Sequence, residues 1–355
     1  MKEYLKIKDC CIGPGHPCYV VAEMSANHNQ SFDDAVKIIE AAKYAGANAI
    51  KLQTYTPDTL TIDCNNKYFQ IRDGIWEGRS LYELYGQAYT PWEWHLRLKE
   101  IADSLSLDIF STPFDVTAVD FLEKMEVPAY KIASFEIVDL PLIRRIAKTT
   151  KPIILSTGMA TLAEIDEAVS VIRETGNNQL ALLKCTSAYP ARPEDMNLET
   201  IAHLSRAFNV PTGLSDHTLG ITVPVAAVAL GACIVEKHLT LDRTESGPDS
   251  GFSLEPDEFK AMVEAVRTAE KAVGSVHYGV SQHESRNRIF RRSLFVVRDM
   301  KTGEQFTTDN LRSIRPGHGL HPRYLEDVLG RYAAINISRG TPLNWDLISK
   351  SAKDR

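Results

Sequence analysis

The sequence predicts an α/β protein: a TIM-type (β/α)8 barrel followed by a small C-terminal α+β domain. Three observations predict it. Eight short β-branched apolar runs alternate with helical patterns over roughly 255 residues, the size of a closed barrel. Every run ends in a polar group suited to chemistry, and a different pattern of short strands and turns begins at Leu294. An open doubly wound sheet is the alternative. It usually carries a Gly-rich phosphate turn after strand one, whereas here that strand runs into Glu23-Met24-Ser25-Ala26-Asn27-His28-Asn29.

The first strand is Tyr19–Ala22, and the helix after it spans Asp33 to Ala45, with Ala35, Ile38, Ile39 and Ala42 on one face and Gly46 as its C-cap. Strand two is Ala49–Gln53. A loop of about 35 residues follows, unusually long for a connection, and Thr90-Pro91 opens the next helix as N-cap and N1 proline. The remaining strands are Asp108–Thr112, Ala129–Ile132, Pro152–Ser156, Leu180–Lys184, Val210–Leu214 and Ile234–His238, and the last helix ends near Val273. Beyond a basic connector, strands Leu294–Val297 and Ala333–Ile337 and the loop Arg315-Pro316-Gly317-His318-Gly319 read as a compact module. The expected organisation is a catalytic barrel over 1–275, a linker over 276–293 and a second domain over 294–355.

Composition narrows the function. The chain is 44% hydrophobic and 24% charged, as folded globular proteins are. Its formal charge of -6 argues against broad nucleic-acid binding. The longest apolar stretch, Val223–Val235, is broken by Pro224 and Gly231 and falls short of the roughly 20 residues of a bilayer span. Met1-Lys2-Glu3 opens no secretory signal, so the cytoplasm is the expected location. Six cysteines form no C-x-x-C pair and read as small buried hydrophobes.

Active sites of such barrels form at the carboxyl ends of the strands. Those ends carry Glu23; Lys51 and Gln53; Thr112; Lys131 and Ser134; Ser156; Ser187 and Tyr189; Ser215, Asp216 and His217; and Glu236, Lys237 and His238. So many polar groups converging by accident is implausible, because each costs several kcal/mol if buried alone, ~2–7 on common scales. A lone His217 reads most simply as a satisfied core histidine; His238 on the next strand turns the pair into a candidate metal site. Imidazole suits Mn, Fe, Co or Zn, and Asp216, Glu236 and Asp249 are acidic candidates for the remaining shell or for orienting a histidine. Lys51 and Lys131, with hydroxyls at Thr112, Ser134, Ser156 and Ser215, suit a phosphate and a carboxylate. Asn27 and His28 either cap a turn or line the pocket. The long loop's Tyr68, Phe69, Trp76, Tyr82 and Tyr85 form a lid over a sugar or pack against the barrel's outside.

Taken together, Glu23-Met24-Ser25-Ala26-Asn27-His28-Asn29, Lys51-Leu52-Gln53, Ser111-Thr112-Pro113-Phe114, Tyr130-Lys131-Ile132-Ala133-Ser134, Leu155-Ser156-Thr157-Gly158-Met159, Gly213-Leu214-Ser215-Asp216-His217-Thr218 and Gly247-Pro248-Asp249 resemble the sialic acid synthase family. Residues 294–350 resemble the antifreeze-like (SAF) module of those enzymes. The resemblance implies a metal-dependent condensation of phosphoenolpyruvate with an acylamino sugar, with Mn2+ as the expected cofactor and Mg2+ or Co2+ as alternatives. It implies that Lys51, Thr112, Lys131, Ser134, Ser156 and Ser215 surround phosphoenolpyruvate, that His217 and His238 bind the metal, and that Glu23, Gln53, Tyr189 and Asp249 face the sugar. It also implies a domain-swapped homodimer in which Arg315 of one subunit reaches the other's barrel.

Two departures bear on the sugar. Family members usually read Cys-Thr-Asn-x-Tyr-Pro where this chain has Cys185-Thr186-Ser187-Ala188-Tyr189-Pro190, so an asparagine contact is absent at Ser187. The segments Glu23–Ala26 and Trp76–Tyr85 look more like the pseudaminic acid branch, which shifts the expected sugar to 2,4-diacetamido-2,4,6-trideoxy-L-altrose. Synthesis of N-acetylneuraminate or legionaminate is the alternative within the family. A non-catalytic sugar-binding barrel and a metal-dependent hydrolase are the alternatives outside it.

Overall fold

The computed structural model describes residues 4–245 and 247–350. Met1–Glu3, on which the signal-peptide expectation was based, and the last five residues of the expected second domain lie outside the described residues. The chain divides into two compact units, Met1–Gly274 and Ser275–Arg355.

The first unit opens with a short antiparallel hairpin, β1 (Leu5–Ile7) and β2 (Cys10–Ile12). Eight parallel strands then close into a barrel: β3 (Tyr19–Glu23), β4 (Ala49–Thr54), β5 (Asp108–Pro113), β6 (Tyr130–Ile132), β7 (Ile153–Ser156), β8 (Leu180–Cys185), β9 (Thr212–Asp216) and β10 (Ile234–His238). They pair in sequence order, and β10 closes on β3. Every strand has a helix after it, the last being Pro256–Val273.

Alternation along the strands sorts the side chains into two cores. Tyr19, Val21, Ala49, Phe110, Ile154, Ala181, Leu183 and Ile234 fill the barrel interior in one cluster, which Leu5, Ile7 and Ile12 of the hairpin join. Val20, Ala22, Ile50, Leu52, Leu214 and Val235 point the other way, into the helices. The hairpin therefore seals the amino-terminal end of the barrel with apolar groups, leaving the carboxyl end for polar ones. Interior positions change character along β3, from Tyr19 and Val21 to Glu23, all of them buried.

Local chemistry explains where elements start. Ser31 caps the first helix, Phe32–Tyr44, by accepting from the Asp34 amide. Strand β9 begins at Thr212, two residues later than expected, after Pro211, which has no N–H to give the ladder. The helix expected to open at Thr90-Pro91 starts at Trp92 with Pro91 as its N-cap and no side-chain cap. The Thr90 hydroxyl instead pairs with His28 Nε2 at 3.2 Å. The long loop contains two helices, Pro57–Leu60 and Leu81–Ala88, and Ser80 and Glu83 form a capping box for the second.

The second unit is built on two antiparallel pairs, β11 (Ser293–Val296) with β12 (Leu311–Ile314) and β13 (Tyr332–Ala333) with β14 (Ile348–Ser349). Leu294, Val296, Met300, Phe306, Leu311, Val328, Ile337 and Leu343 make its core. The strand expected over Ala333–Ile337 is only Tyr332–Ala333, with Ile337 making an isolated bridge to Met300. Residues 276–293 contain a helical turn, Gln282–Ser285, and a 3-10 turn, Arg286–Phe290, and they group with this unit. The Gly317 amide donates to Ile289 O at 2.8 Å, tying the connector to the Arg315–Gly319 loop. A side chain at Gly319 would lie 2.2 Å from Leu294 O, so the loop closes only over glycine.

Candidate active site

A single floor of charge lies across the carboxyl end of the barrel. Register sets it: Glu23 pairs with Lys51 across β3 and β4, and Ser215 with Glu236 across β9 and β10. Lys51 Nζ lies 2.8 Å from Glu236 Oε1 and 3.1 Å from Glu23 Oε2. Lys131 Nζ approaches Glu236 Oε1 at 3.8 Å and donates to Ser156 Oγ at 2.6 Å and Ile132 O at 2.9 Å. The Ser215 hydroxyl donates to Glu236 Oε1 at 3.0 Å. All six side chains are buried.

Burial opposes ionisation of Glu236, but Lys131 and Lys51 together overcome it and hold its carboxyl below the usual range. For Glu23 burial prevails over Lys51, and the Glu236 charge adds to it, so its carboxyl titrates above the usual range. Burial pulls Lys131 down to about 8, against the pull of Glu236. Two buried ammonium groups thus share one firmly ionised carboxylate. The floor is electropositive and suits a small polyanion.

Above the floor lies a cavity of about 380 Å³, within the size range of small-molecule sites. Its walls include Gln53, Ser134, Ser156, Tyr189, Ser215, His217, His238 and Asp249 from among the expected residues. The lid segment contributes Leu60, Ile71, Trp76, Leu81, Leu84 and Tyr85. Trp76 Nε1 donates to Pro248 O at 3.0 Å, and its ring lies 5.5 Å from that of Tyr189. Trp76 and Tyr85 therefore face inward and supply an aromatic wall, whereas Phe69 and Tyr82 do not line the cavity and Tyr68 is exposed.

His217 and His238 are buried side by side with ring centroids 5.4 Å apart. His217 Nδ1 is taken by Thr186 O at 3.0 Å, while His238 Nδ1 is buried without a partner. Two imidazoles with uncommitted nitrogens fit a divalent cation that keeps most of its coordination positions for water and substrate. Among the described residues, no group of three His, Cys, Asp or Glu side chains could hold a metal. The acidic candidates are engaged elsewhere: Glu236 with the lysines, Asp216 with Lys237, and Asp249 with Ser25.

Four expected residues lie off the cavity wall: Asn27, Thr112, Ser187 and Asp216. Asn27 Nδ2 donates to Leu239 O at 3.0 Å and Ser253 Oγ at 2.9 Å, which braces β3 against the segment after β10. The Thr112 hydroxyl is buried without a partner. Ser187 Oγ packs so close to Gly158 that a side chain there would lie 2.3 Å from it and 2.7 Å from Ser134 Oγ. Gly158 also donates its amide to Ser134 Oγ at 3.0 Å, so this turn holds the serines together. Asp216 and Lys237 form a fully buried ion pair on the helix side of the barrel wall. Arg315 belongs to the second unit.

Among the wall residues that sequence reasoning passed over are Ser25, Cys185 and Glu136. Glu136 lies on the 3-10 turn Ser134–Glu136 just past β6, its Oε2 buried without a partner, and burial raises its carboxyl to about 7 against the pull of Lys131. Its place two residues beyond Ser134 is visible in the sequence, but its buried, unpartnered carboxylate is not.

The NeuB family model matches residues 38–278 and the SAF domain model residues 291–349. The pseudaminic acid synthase of Campylobacter jejuni subsp. jejuni serotype O:2 is 48% identical over 325 residues, 92% of this chain and 95% of the relative. That of Helicobacter pylori is 45% identical over 336 residues, 94% and 99% of the two chains. Among solved structures, the N-acetylneuraminic acid (sialic acid) synthetase of Leptospira borgpetersenii serovar Hardjo-bovis, in complex with citrate, superposes with a TM-score of 0.73 at 33% identity, covering 81% of this chain and 95% of that one. With the barrel strands, the lysine floor and the paired histidines in place, this chain belongs to the NeuB family.

Proposed function

We propose that the chain condenses phosphoenolpyruvate with 2,4-diacetamido-2,4,6-trideoxy-L-altrose to give pseudaminic acid and phosphate. The observation that carries this reading is the buried pair Lys51 and Lys131 sharing Glu236 beneath a cavity that His217, His238 and the Trp76 wall also line. Similarity to pseudaminic acid synthases over nearly the full length of both chains supports the choice of sugar.

In this reading Lys51, Lys131, Ser134, Ser156 and Ser215 hold the phosphate and carboxylate of phosphoenolpyruvate and keep its C3 facing the sugar's aldehyde carbon. Attack by C3 turns the aldehyde oxygen into a hydroxyl and consumes one proton. Water adding at C2 releases one. The tetrahedral intermediate then collapses to the ketone as the C2–O bond to phosphate breaks, with the C2 hydroxyl proton passing to the phosphate that leaves with its bridging oxygen. Glu23 and Glu136, both raised above the usual carboxylate range by burial, give and take those protons in this reading. A divalent cation on His217 and His238, Mn2+ in this reading, would polarise the aldehyde oxygen. Gln53, Tyr189, Asp249 and the Trp76 wall face the sugar. Arg315 of a second copy completes the site in a domain-swapped homodimer. Phosphoenolpyruvate is charged and does not cross membranes unaided, which supports a cytoplasmic location; among the described residues, no helix is long and apolar enough to cross a membrane.

Parallel kinetics with the altrose-type sugar, N-acetylmannosamine and the legionaminate precursor test the assignment. The expected result is highest kcat/KM for the altrose-type sugar. Preference for N-acetylmannosamine would overturn the sugar; phosphate release without any acceptor would overturn the condensation.

A further inference from the structure

Ser25, just past β3, has a φ of +47°, a backbone conformation that side chains rarely adopt. It is buried, it lines the cavity, and its hydroxyl is used twice. It donates to Asp249 Oδ2, an oxygen that also accepts from the Ala26 amide at 3.4 Å. With its one proton committed, Ser25 Oγ can only accept, and it does so from Gln53 Nε2 at 2.9 Å. The other hydrogen of that amide goes to Glu23 Oε1 at 3.2 Å. Both Gln53 donors are therefore spent on protein. Gln53 Oε1 and Asp249 Oδ1, on two wall residues, have no protein partner among the described residues.

We propose that Ser25 is a positioning residue that, through this one hydroxyl, fixes Gln53 and Asp249 as paired hydrogen-bond acceptors for N–H and O–H donors of the sugar. A hydroxyl acting as donor to Asp249 and acceptor from Gln53 fixes the amide's orientation, which an apolar side chain at position 25 would leave free. A diacetamido sugar carries an N–H donor on each amide, the complement of two fixed acceptors. Reading those donors as acetamido groups rests on the function proposed above. The locking of Gln53 and Asp249 does not.

The test uses Ser25→Ala and Ser25→Gly in the full chain, with Mn2+ and both substrates. Ser25→Ala removes the hydroxyl, and Ser25→Gly removes it while relieving the backbone at φ +47°. Both are expected to raise the sugar KM by about tenfold or more while leaving the phosphoenolpyruvate KM within about twofold. Ser25→Gly should do so with Tm within about 3 °C of wild type. A purely structural role would move Tm, or both KM values together, and would overturn the proposal, as would an unchanged sugar KM. A crystal structure of Ser25→Ala decides the question even if wild type does not turn over the altrose-type sugar, in which case the functional reading alone fails. Gln53 or Asp249 rotated from its present position supports the proposal, and both unmoved refutes it.

Discussion

Replacing Lys131 by methionine separates what a buried cation does for stability from what it does for chemistry. Lys131 lies 3.8 Å from Glu236 Oε1, a separation worth about 4 kcal/mol of attraction at an effective dielectric of about 20. Against that stands the cost of desolvating the ammonium, itself several kcal/mol in real proteins, roughly equal and opposite. Methionine recovers that cost and fills a similar volume. Glu236 keeps Lys51 at 2.8 Å and Ser215 at 3.0 Å, so it is not left as an unpaired buried charge. What remains is the loss of donation to Ser156 and Ile132, about 1 kcal/mol for each hydrogen bond. The net destabilisation is at most about 3 kcal/mol, a Tm shift below about 10 °C for a unit of this size. Catalysis has no such compensation. The floor loses one of two cations facing phosphoenolpyruvate, and kcat/KM for that substrate should fall by about 10²–10³. Calorimetric unfolding and coupled phosphate release measure the two effects separately. A folded variant with kcat/KM within about threefold of wild type refutes the electropositive floor, and one that fails to fold refutes the charge balance.

Other predictions draw on different parts of the molecule. His28 and His95 are buried, and burial lowers both to about 4 in the fold, against about 6.5 unfolded. The unfolded chain therefore binds more protons between those values. The stability these two histidines contribute should be complete above pH about 6.5, fall as pH drops, and level off below about 4. His95→Gln should remove about one proton from that dependence in urea titrations at stepped pH, and an unchanged slope would contradict the burial argument. Chelation should abolish turnover and Mn2+ restore it. His238→Ala should bind Mn2+ at least tenfold more weakly by calorimetry, since losing even a group that only orients a metal ligand costs about 10–100-fold. Finally, mixing inactive Arg315→Ala with inactive His238→Ala protomers should restore up to about a quarter of wild-type activity if Arg315 acts across the dimer. No recovery on exchange would place it in its own subunit.

How far the sequence was legible follows from the physics of each element. The barrel strands stood out because apolar runs ending in Glu23, Lys51, Lys131 or His238 are expensive unless those ends converge. The β1–β2 hairpin did not, since three-residue strands carry too little alternation to distinguish them from a loop. The lid helices were missed because Pro57–Leu60 and Leu81–Ala88 are too short to show a helical period, although Ser80 and Glu83 mark a capping box. Asp216 was grouped with the site because it stands between Ser215 and His217. Strand periodicity places it on the opposite face, where Lys237 waits at the matching register position. Ser25 and Glu136 were hidden for another reason. Their importance lies in a left-handed backbone and in an unpartnered carboxylate, and neither is a property of residue spacing.

The central claim is the joining of phosphoenolpyruvate to the altrose-type sugar, and mass detection of the product tests it most directly. Enzyme, Mn2+, phosphoenolpyruvate and 2,4-diacetamido-2,4,6-trideoxy-L-altrose should give one product with the mass of a nine-carbon diacetamido 2-keto acid, formed in equal amount with free phosphate. Phosphate appearing without that product, or no reaction with this sugar while another acylamino sugar is consumed, would contradict the account.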